Sequence, residues 1–424
     1  MKPTPMLFAA MAAFTASAAT PTPEVTSVTM RQSTTGRLVT IEYTLDNAPA
    51  VVTLDVETNA NTSAAADDPG WTSIGGEGVS NAEGDVWKKV GTSGTFSGRI
   101  EWRPDLSWPG HKILGNGARA VVTAWALDNT PDYMAVDITA TGGADTQTYY
   151  PAADFVPGGV TNSLYKTTML LMRKIMAKGV KWTMGSVAES GRDATSETPH
   201  QVTLTNNYYI GVYPVTQTQW QQVTGYNPSN FTTDQTMRPV EKVSFTDIRQ
   251  GKGTALTAAS ATGGVYPADP YGDSFLGLLR DKTKLDFDLP SEAQWEFAAR
   301  AGNGEGYWGD GSAMSISSDK DAGLDQLGRY MTNDTAIVGS YLPNALGIYD
   351  VHGNVYEWCL DLYAQDITAL NGTVYTASGT NRVKRGGGWN AAAGDCRPAK
   401  RNYDTPTSRR TSTGFRVLCS AGLR

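Results

Sequence analysis

The 424-residue chain is long enough for two domains with well-filled cores, and its 18% charged residues and 45 glycines exclude a disordered polymer in favour of a loop-rich globular protein. A formal net charge of −7 excludes whole-protein binding to nucleic acid. Three cysteines exclude a disulfide-dense scaffold and allow one bridge with one free thiol.

In chain order, residues 1–19 read as a signal peptide. Lys2 supplies the positive charge, MLFAAMAAF the apolar run and Ala16-Ser17-Ala18 the cleavage pattern. The apolar run is too short to span a bilayer, and no later stretch approaches the length of a membrane helix. The mature protein is therefore expected to be exported, as a periplasmic, cell-surface or secreted protein, where a disulfide persists. Residues 20–140 alternate with period two in VTSVTMRQ, RLVTIEYTL, AVVTLDVET, GTFSGRIEWRP, GARAVVTAWAL and MAVDITA, which predicts an all-β sandwich. Such a domain serves as a spacer or docking module, and Trp71, Trp87 and Trp102 read as core or edge residues of it. Residues 141–165, rich in Gly, Thr, Ala and Pro, read as a linker.

The second domain, 166–424, opens with MLLMRKIMAKGVKWTMGS. A short amphipathic helix fits this run, but a hairpin split at Lys178-Gly179 fits it better. HQVTLTNNYYIGVYPVT reads as two more strands. Two capping boxes announce helices: Thr216-x-x-Gln219, closed by Gly225, and Ser291-x-x-Gln294, closed by Gly302. Trp295, Ala298 and Ala299 share one face of the second helix and read as core. From Thr380 to Arg424 ten Lys or Arg face two Asp, a local charge of +8 in an acidic chain.

The segments KWTMGS, ETPHQVTLTNNYYIGVYPVTQTQW, RPVEKVSFTDI, LPSEAQWEFAARAG, YWGD, VGSYLPNALGIYDVHGNVYEWC, RVKRGGGWN, CRPAKR and GFRV occur in this order. In that order they resemble the formylglycine-generating enzyme, or sulfatase-modifying factor, family. The resemblance implies an irregular α+β C-type-lectin-like domain after the all-β sandwich. It also implies oxidation of a client sulfatase cysteine with oxygen and Cu(I), the copper held by two thiolates five residues apart. Soft Cu(I) needs such a sulfur pair.

In RGGGWNAAAGDCRPAKR, counting forward from Gly388 places the two cysteine positions at Ala391 and Cys396. Counting back from CRPAKR places Cys396 at an aromatic position and leaves neither cysteine. Either way the first thiolate is missing, so Cys396 is a catalytic candidate only if the protein is an oxidase, and copper is expected only in that case. His111, His200 and His352 belong to different segments and form no iron-binding pattern.

YDVHGNVYEWC resembles the family's calcium loop, which implies Ca²⁺ held by the Asp350 and Glu357 side chains and the Gly353 and Val355 carbonyls. His352 then points away from the ion. The sequence leaves the pairing of a bridge open: Cys359 with Cys396 is expected, since both flank the same C-terminal core, and Cys419 competes. The C-terminal frame also resembles the variable proteins of diversity-generating retroelements, which implies a recognition face. On it Trp389, Asn390, Asp395, Arg397, Lys400, Arg401, Tyr403, Asp404, Arg409 and Arg410 would meet a ligand. The expected partner is an extracellular protein or glycan, or a sulfatase client if the oxidase activity is kept.

Overall fold

The computed structural model describes residues 21–33, 36–111, 116–140, 146–187, 189, 191–233, 236–250, 269–301, 320–376 and 379–422. The expected signal peptide and the YWGD segment lie outside the described residues.

The N-terminal region is β-rich and consistent with a sandwich. Its longer strands are β1 (Glu24–Gln32), β2 (Val39–Thr58), β3 (Lys88–Trp102) and β4 (Ala118–Trp125). β2 is the organising element. Its first half pairs with β1, its second half with β4, and β3 runs antiparallel along most of its length. Val39, Ile41, Tyr43 and Leu45 point into the core before an irregularity in register near Ala48; Ala50, Val52, Leu54 and Val56 point into it afterwards. The inward parity has changed from odd to even, which is what an extra residue does to a period-two strand. Trp87 and Trp102 lie in this core as expected, while Trp71 is half-buried under the Arg119 guanidinium at 4.4 Å.

The next strands correct the expected domain boundary. β5 (Tyr133–Asp137) and β6 (Gln147–Tyr150) pair with each other, and β5 pairs with β7 (Met169–Ile175). MAVDITA is therefore a strand of the second domain's sheet, and the stretch expected as a linker supplies another. The reason is two-sided burial. Tyr133 and Ala135 belong to the N-terminal core, whereas Met134 and Val136 belong to the core of the second domain.

The hairpin expectation is half met. β7 and β8 (Lys181–Met184) both form, but they do not pair with each other. β8 pairs with β9 (His200–Thr203), and β7 pairs with β10 (Tyr208–Gly211). Then come α1 (Gln217–Thr224), α2 (Phe245–Arg249), α3 (Phe275–Thr283), β11 (Phe287–Asp288) and α4 (Glu292–Arg300). Both expected capping boxes are present, and Gly225 closes α1 in the left-handed conformation. α4 ends on Ala301 instead of Gly302. α2 and α3 were not expected, although Ser244 and Asp247 form a third capping box. Trp295, Ala298 and Ala299 are core residues, as their spacing predicts.

The last strands are β12 (Tyr356–Leu362), β13 (Arg382–Arg385), β14 (Asn402–Asp404), β15 (Thr413–Gly414) and β16 (Leu418–Ser420). β16 joins the main sheet, in the order β11-β16-β10-β7-β5-β6, and the others form a small sheet in the order β14-β13-β12-β15. Among the described residues no helix is long and apolar enough to cross a membrane.

The α1 cap also ties the helix to the 3-10 turn Ser163–Lys166 that leads into β7. Thr216 Oγ1 accepts the Gln219 N–H at 3.2 Å and donates to the Lys166 carbonyl at 2.8 Å. Thr216→Ala is expected to cost about 1–2 kcal/mol in urea unfolding, with Thr216→Ser recovering most of it.

Candidate functional site

β13 carries Arg385 beneath the C-terminal loops, and α4 presents Glu292 and Glu296 to it. Arg385 pairs with Glu296 and, at 3.3 Å, with Glu292, and it also donates to the carbonyls of Pro398 and Ala399 at 2.6 and 3.0 Å. Arg401 grips Glu292 with two parallel bonds of 2.6 and 2.8 Å. Arg397 grips Glu197 at 2.8 and 3.0 Å and reaches Glu189 at 2.6 Å. Arg300 pairs with Glu296 at 2.8 Å and donates to the Gly185 carbonyl at 2.6 Å. Four guanidinium groups and four carboxylates thus neutralise one another away from water, with the bidentate geometry that such burial requires.

This corrects the expected recognition face at two positions. Arg397 is 2% exposed and Arg401 7% exposed. Their charges are spent inside the protein, so neither is placed to meet a ligand.

Beside this network Asp361 Oδ2 accepts the Glu292 N–H at 2.6 Å and Oδ1 accepts the Tyr375 N–H at 2.8 Å. Burial, with the Glu292 charge adding to it, pushes the Asp361 carboxyl up to about 7.

The calcium-like turn places Asp350, Gly353 and Asn354 at φ of 54°, 79° and 62°. Only the glycine adopts this region freely, so the other two are held there by their surroundings. Asp350 Oδ2 accepts the Gly339 N–H at 2.6 Å and Oδ1 accepts the Asn354 amide at 3.2 Å. Burial pushes the Asp350 carboxyl up to about 6 against these bonds, and the Glu357 charge pushes in the same direction. Glu357 Oε2 accepts from Arg416 Nε and Trp295 Nε1, both at 2.6 Å, while Oε1 accepts from Arg416 Nη2 at 2.7 Å. Glu357 is thus already paired at both oxygens with the buried Arg416 guanidinium, while Asp350 accepts from a backbone N–H and an amide side chain. These are the two carboxylates that the resemblance assigns to calcium. His352 is buried, its Nδ1 lies 2.9 Å from the Cys396 carbonyl, and burial pulls its pKa down to about 4. Among the described residues no three His, Cys, Asp or Glu side chains converge in a way that could hold a metal.

The expected Cys359–Cys396 bridge is not formed: all three cysteines are free and buried. Each lies in a different cluster. Cys359 packs with Trp295 and Val383, Cys396 with Tyr330, Tyr356 and Ala391, and Cys419 with Tyr149 and Tyr209. Burial pushes all three thiols up, so none is a ready thiolate at neutral pH. Gly387, at φ 77°, is forced by this packing, because a Cβ there would lie 2.4 Å from Cys396 Sγ.

The remaining expected contact residues divide by exposure. The Trp389 indole donates to the Thr411 carbonyl at 2.9 Å, and its ring meets Phe231 edge-on at 5.4 Å, so it is a support. Asn390 is exposed, and Asp395 pairs loosely with Lys400 at 3.6 Å. Arg409 grips Asp247 with two bonds of 2.7 Å. Tyr403, Asp404 and Arg410 come together in a shallow cleft of about 480 Å³, completed by Asn381, Lys384, Asn402 and Thr405. Asp404 accepts from Arg410 and, at 3.2 Å, from Lys384. Burial opposes its ionisation, yet these two cations hold its carboxyl down at about 2. Asn381, Lys384 and Thr405 were missed in the sequence. The missing information is the β13–β14 register, which sets Lys384 opposite Asn402.

Comparison with known proteins places a Sulfatase-modifying factor enzyme 1-like domain at residues 165–421. The chain is similar to the Serine/threonine-protein kinase pkn1 of Chlamydia pneumoniae, 28% identical over 257 residues, 59% of this chain and 38% of that protein. It is similar to the chaperone protein LppX of Paenibacillus barcinonensis, 30% identical over 48% of this chain and 77% of that protein. It is 34% identical to the formylglycine-generating enzyme of Streptomyces coelicolor over 32% of this chain and 47% of that enzyme. The chain thus spans well under half of the kinase and just under half of that enzyme. Among solved structures, the Treponema denticola variable protein 1 aligns with a TM-score of 0.45 at 27% identity, covering 60% of this chain and 96% of that one.

Asp361 gives the domain a pH dependence. Its folded pKa lies above the usual carboxylate value, so the stability it allows is fully present below about pH 4 and is lost as pH rises through about 7. The urea midpoint of the protein is expected to fall between pH 5.5 and 8.5. In Asp361→Asn this fall should be smaller, from a lower starting midpoint because one N–H acceptor is lost.

Proposed function

The chain belongs to the sulfatase-modifying factor family, and within it we propose that the protein is an exported binding module, stiffened by calcium, that presents the C-terminal cleft to an extracellular protein or glycan. The observation that carries this reading is the dispersal of the thiols. A two-sulfur copper site needs two cysteines within bonding range of one ion, and here each cysteine sits in its own apolar cluster. The neighbouring Ala391 offers no sulfur to Cys396. What the scaffold does present to solvent is Tyr403, Asn390, Arg409 and Arg410, side chains of the kind that dominate recognition surfaces. Export rests on the N-terminal signal pattern.

A second reading, an oxygen-dependent oxidase maturing sulfatases through an altered site, draws on the 33–34% identity to bacterial formylglycine-generating enzymes. A sulfatase-derived cysteine peptide incubated with the protein, Cu(I) and oxygen decides between the two. The module reading expects no mass change in the peptide. Conversion to the aldehyde, abolished in Cys396→Ala, would establish the oxidase.

Calcium at Asp350, Gly353, Val355 and Glu357 would act as a structural cross-link between the turn and β12. Chelation with EGTA is expected to lower the melting temperature by about 4–8 °C, the equivalent of about 2 kcal/mol, with recovery on adding Ca²⁺. Glu357→Ala should melt lower and lose the calcium response. An unchanged melt in EGTA would remove calcium from the account.

A further inference from the structure

The cleft has a chemistry of its own, and the inference drawn from it rests on the binding-module reading. Six of its seven lining residues are polar: Asn381, Lys384, Asn402, Asp404, Thr405 and Arg410. The seventh, Tyr403, is 47% exposed, and its ring is backed by Tyr363 with centroids 4.2 Å apart. Tyr363 is itself covered by the buried Arg401 guanidinium at 4.9 Å. The exposed ring is therefore a fixed platform, because the layers beneath it are locked.

None of the described residues lining the cleft is aliphatic, so the cleft itself offers a peptide hot spot no apolar anchor. Instead the Asn381 amide and the Thr405 hydroxyl offer donors and acceptors to sugar hydroxyls, while Asn402 Oδ1 holds the Tyr403 N–H at 2.7 Å. Two cations face one carboxylate here: Lys384 is buried and paired with Asp404 at 3.2 Å, and Arg410 keeps 60% of its side chain exposed. On a protein of net charge −7 this is a local positive site.

We propose that the cleft binds an acidic saccharide, with a sugar ring stacked on Tyr403 and its carboxylate or sulfate facing the exposed Arg410. Calorimetric titration of the full chain tests this with a galacturonic acid tetramer, a heparan sulfate tetramer and neutral cellotetraose. At least one acidic oligomer is expected to bind about tenfold more tightly than the neutral one, with affinity falling as salt rises. The two acidic probes distinguish carboxylate from sulfate as the recognised group. Tyr403→Ala should weaken binding about tenfold or more, and Arg410→Gln should abolish the acidic preference. Both side chains are exposed, so an unchanged thermal melt verifies that each variant is folded. Equal affinity for acidic and neutral oligomers, binding indifferent to Tyr403→Ala, or no binding at millimolar concentration would overturn the proposal. A decaglutamate peptide bound through Tyr403 and Arg410 in place of the saccharides would sink the saccharide class while leaving the module reading intact. Copper-dependent oxidation of the sulfatase peptide would instead sink the module reading itself.

Discussion

The second domain depends on the clamp between α4 and the loops after β13. Arg385, Arg397 and Arg401 carry the C-terminal segment, while Glu292 and Glu296 on α4 and Glu197 ahead of β9 receive it. Each guanidinium is planar, always charged and satisfied at several N–H positions at once. Removing one partner from such a set leaves an unpaired buried charge, a loss of about 3–5 kcal/mol. The domain has short helices and long irregular stretches, and these ion pairs do for its loops what regular ladders do elsewhere.

The clamp also decides what the surface can be. The sequence from Thr380 onward is strongly basic, but its charge is sorted by depth. Arg382, Arg385, Arg397, Arg401 and Arg416 are buried, whereas Arg409 and Arg410 are exposed. The loops between the buried arginines are pinned at both ends, so Asn390, Tyr403 and Thr405 can vary in chemistry without disturbing the frame beneath them. Buried ion pairs and exposed side chains are thus carried by neighbouring residues of one segment.

Much of this was legible in the sequence because it is local. The capping boxes at Thr216 and Ser291 involve residues three apart, and both formed. The core stripe of α4 follows from helical period alone. What escaped was long-range. The β7–β8 run looked like a hairpin because nothing local reveals that each strand has a partner farther along the chain. Arg397 and Arg401 looked like surface residues because their carboxylates lie about one to two hundred residues earlier, at Glu197 and Glu292. The Cys359–Cys396 bridge was expected because both residues flank the C-terminal core, and the two side chains belong to different clusters. The cleft was half visible: Tyr403, Asp404 and Arg410 lie close together in the chain, but Lys384 and Asn381 needed the strand pairing.

The seam at Tyr133–Asp137 bears on how this protein is divided. The family-matched segment begins at residue 165, yet two strands of its sheet come from before that point. A polypeptide beginning there would leave β7 as a bare edge and uncover Leu171 and Met172, which β5 now shields. The sheet of the family-matched segment is therefore completed by strands that precede it, so a cut at that point divides one sheet in two.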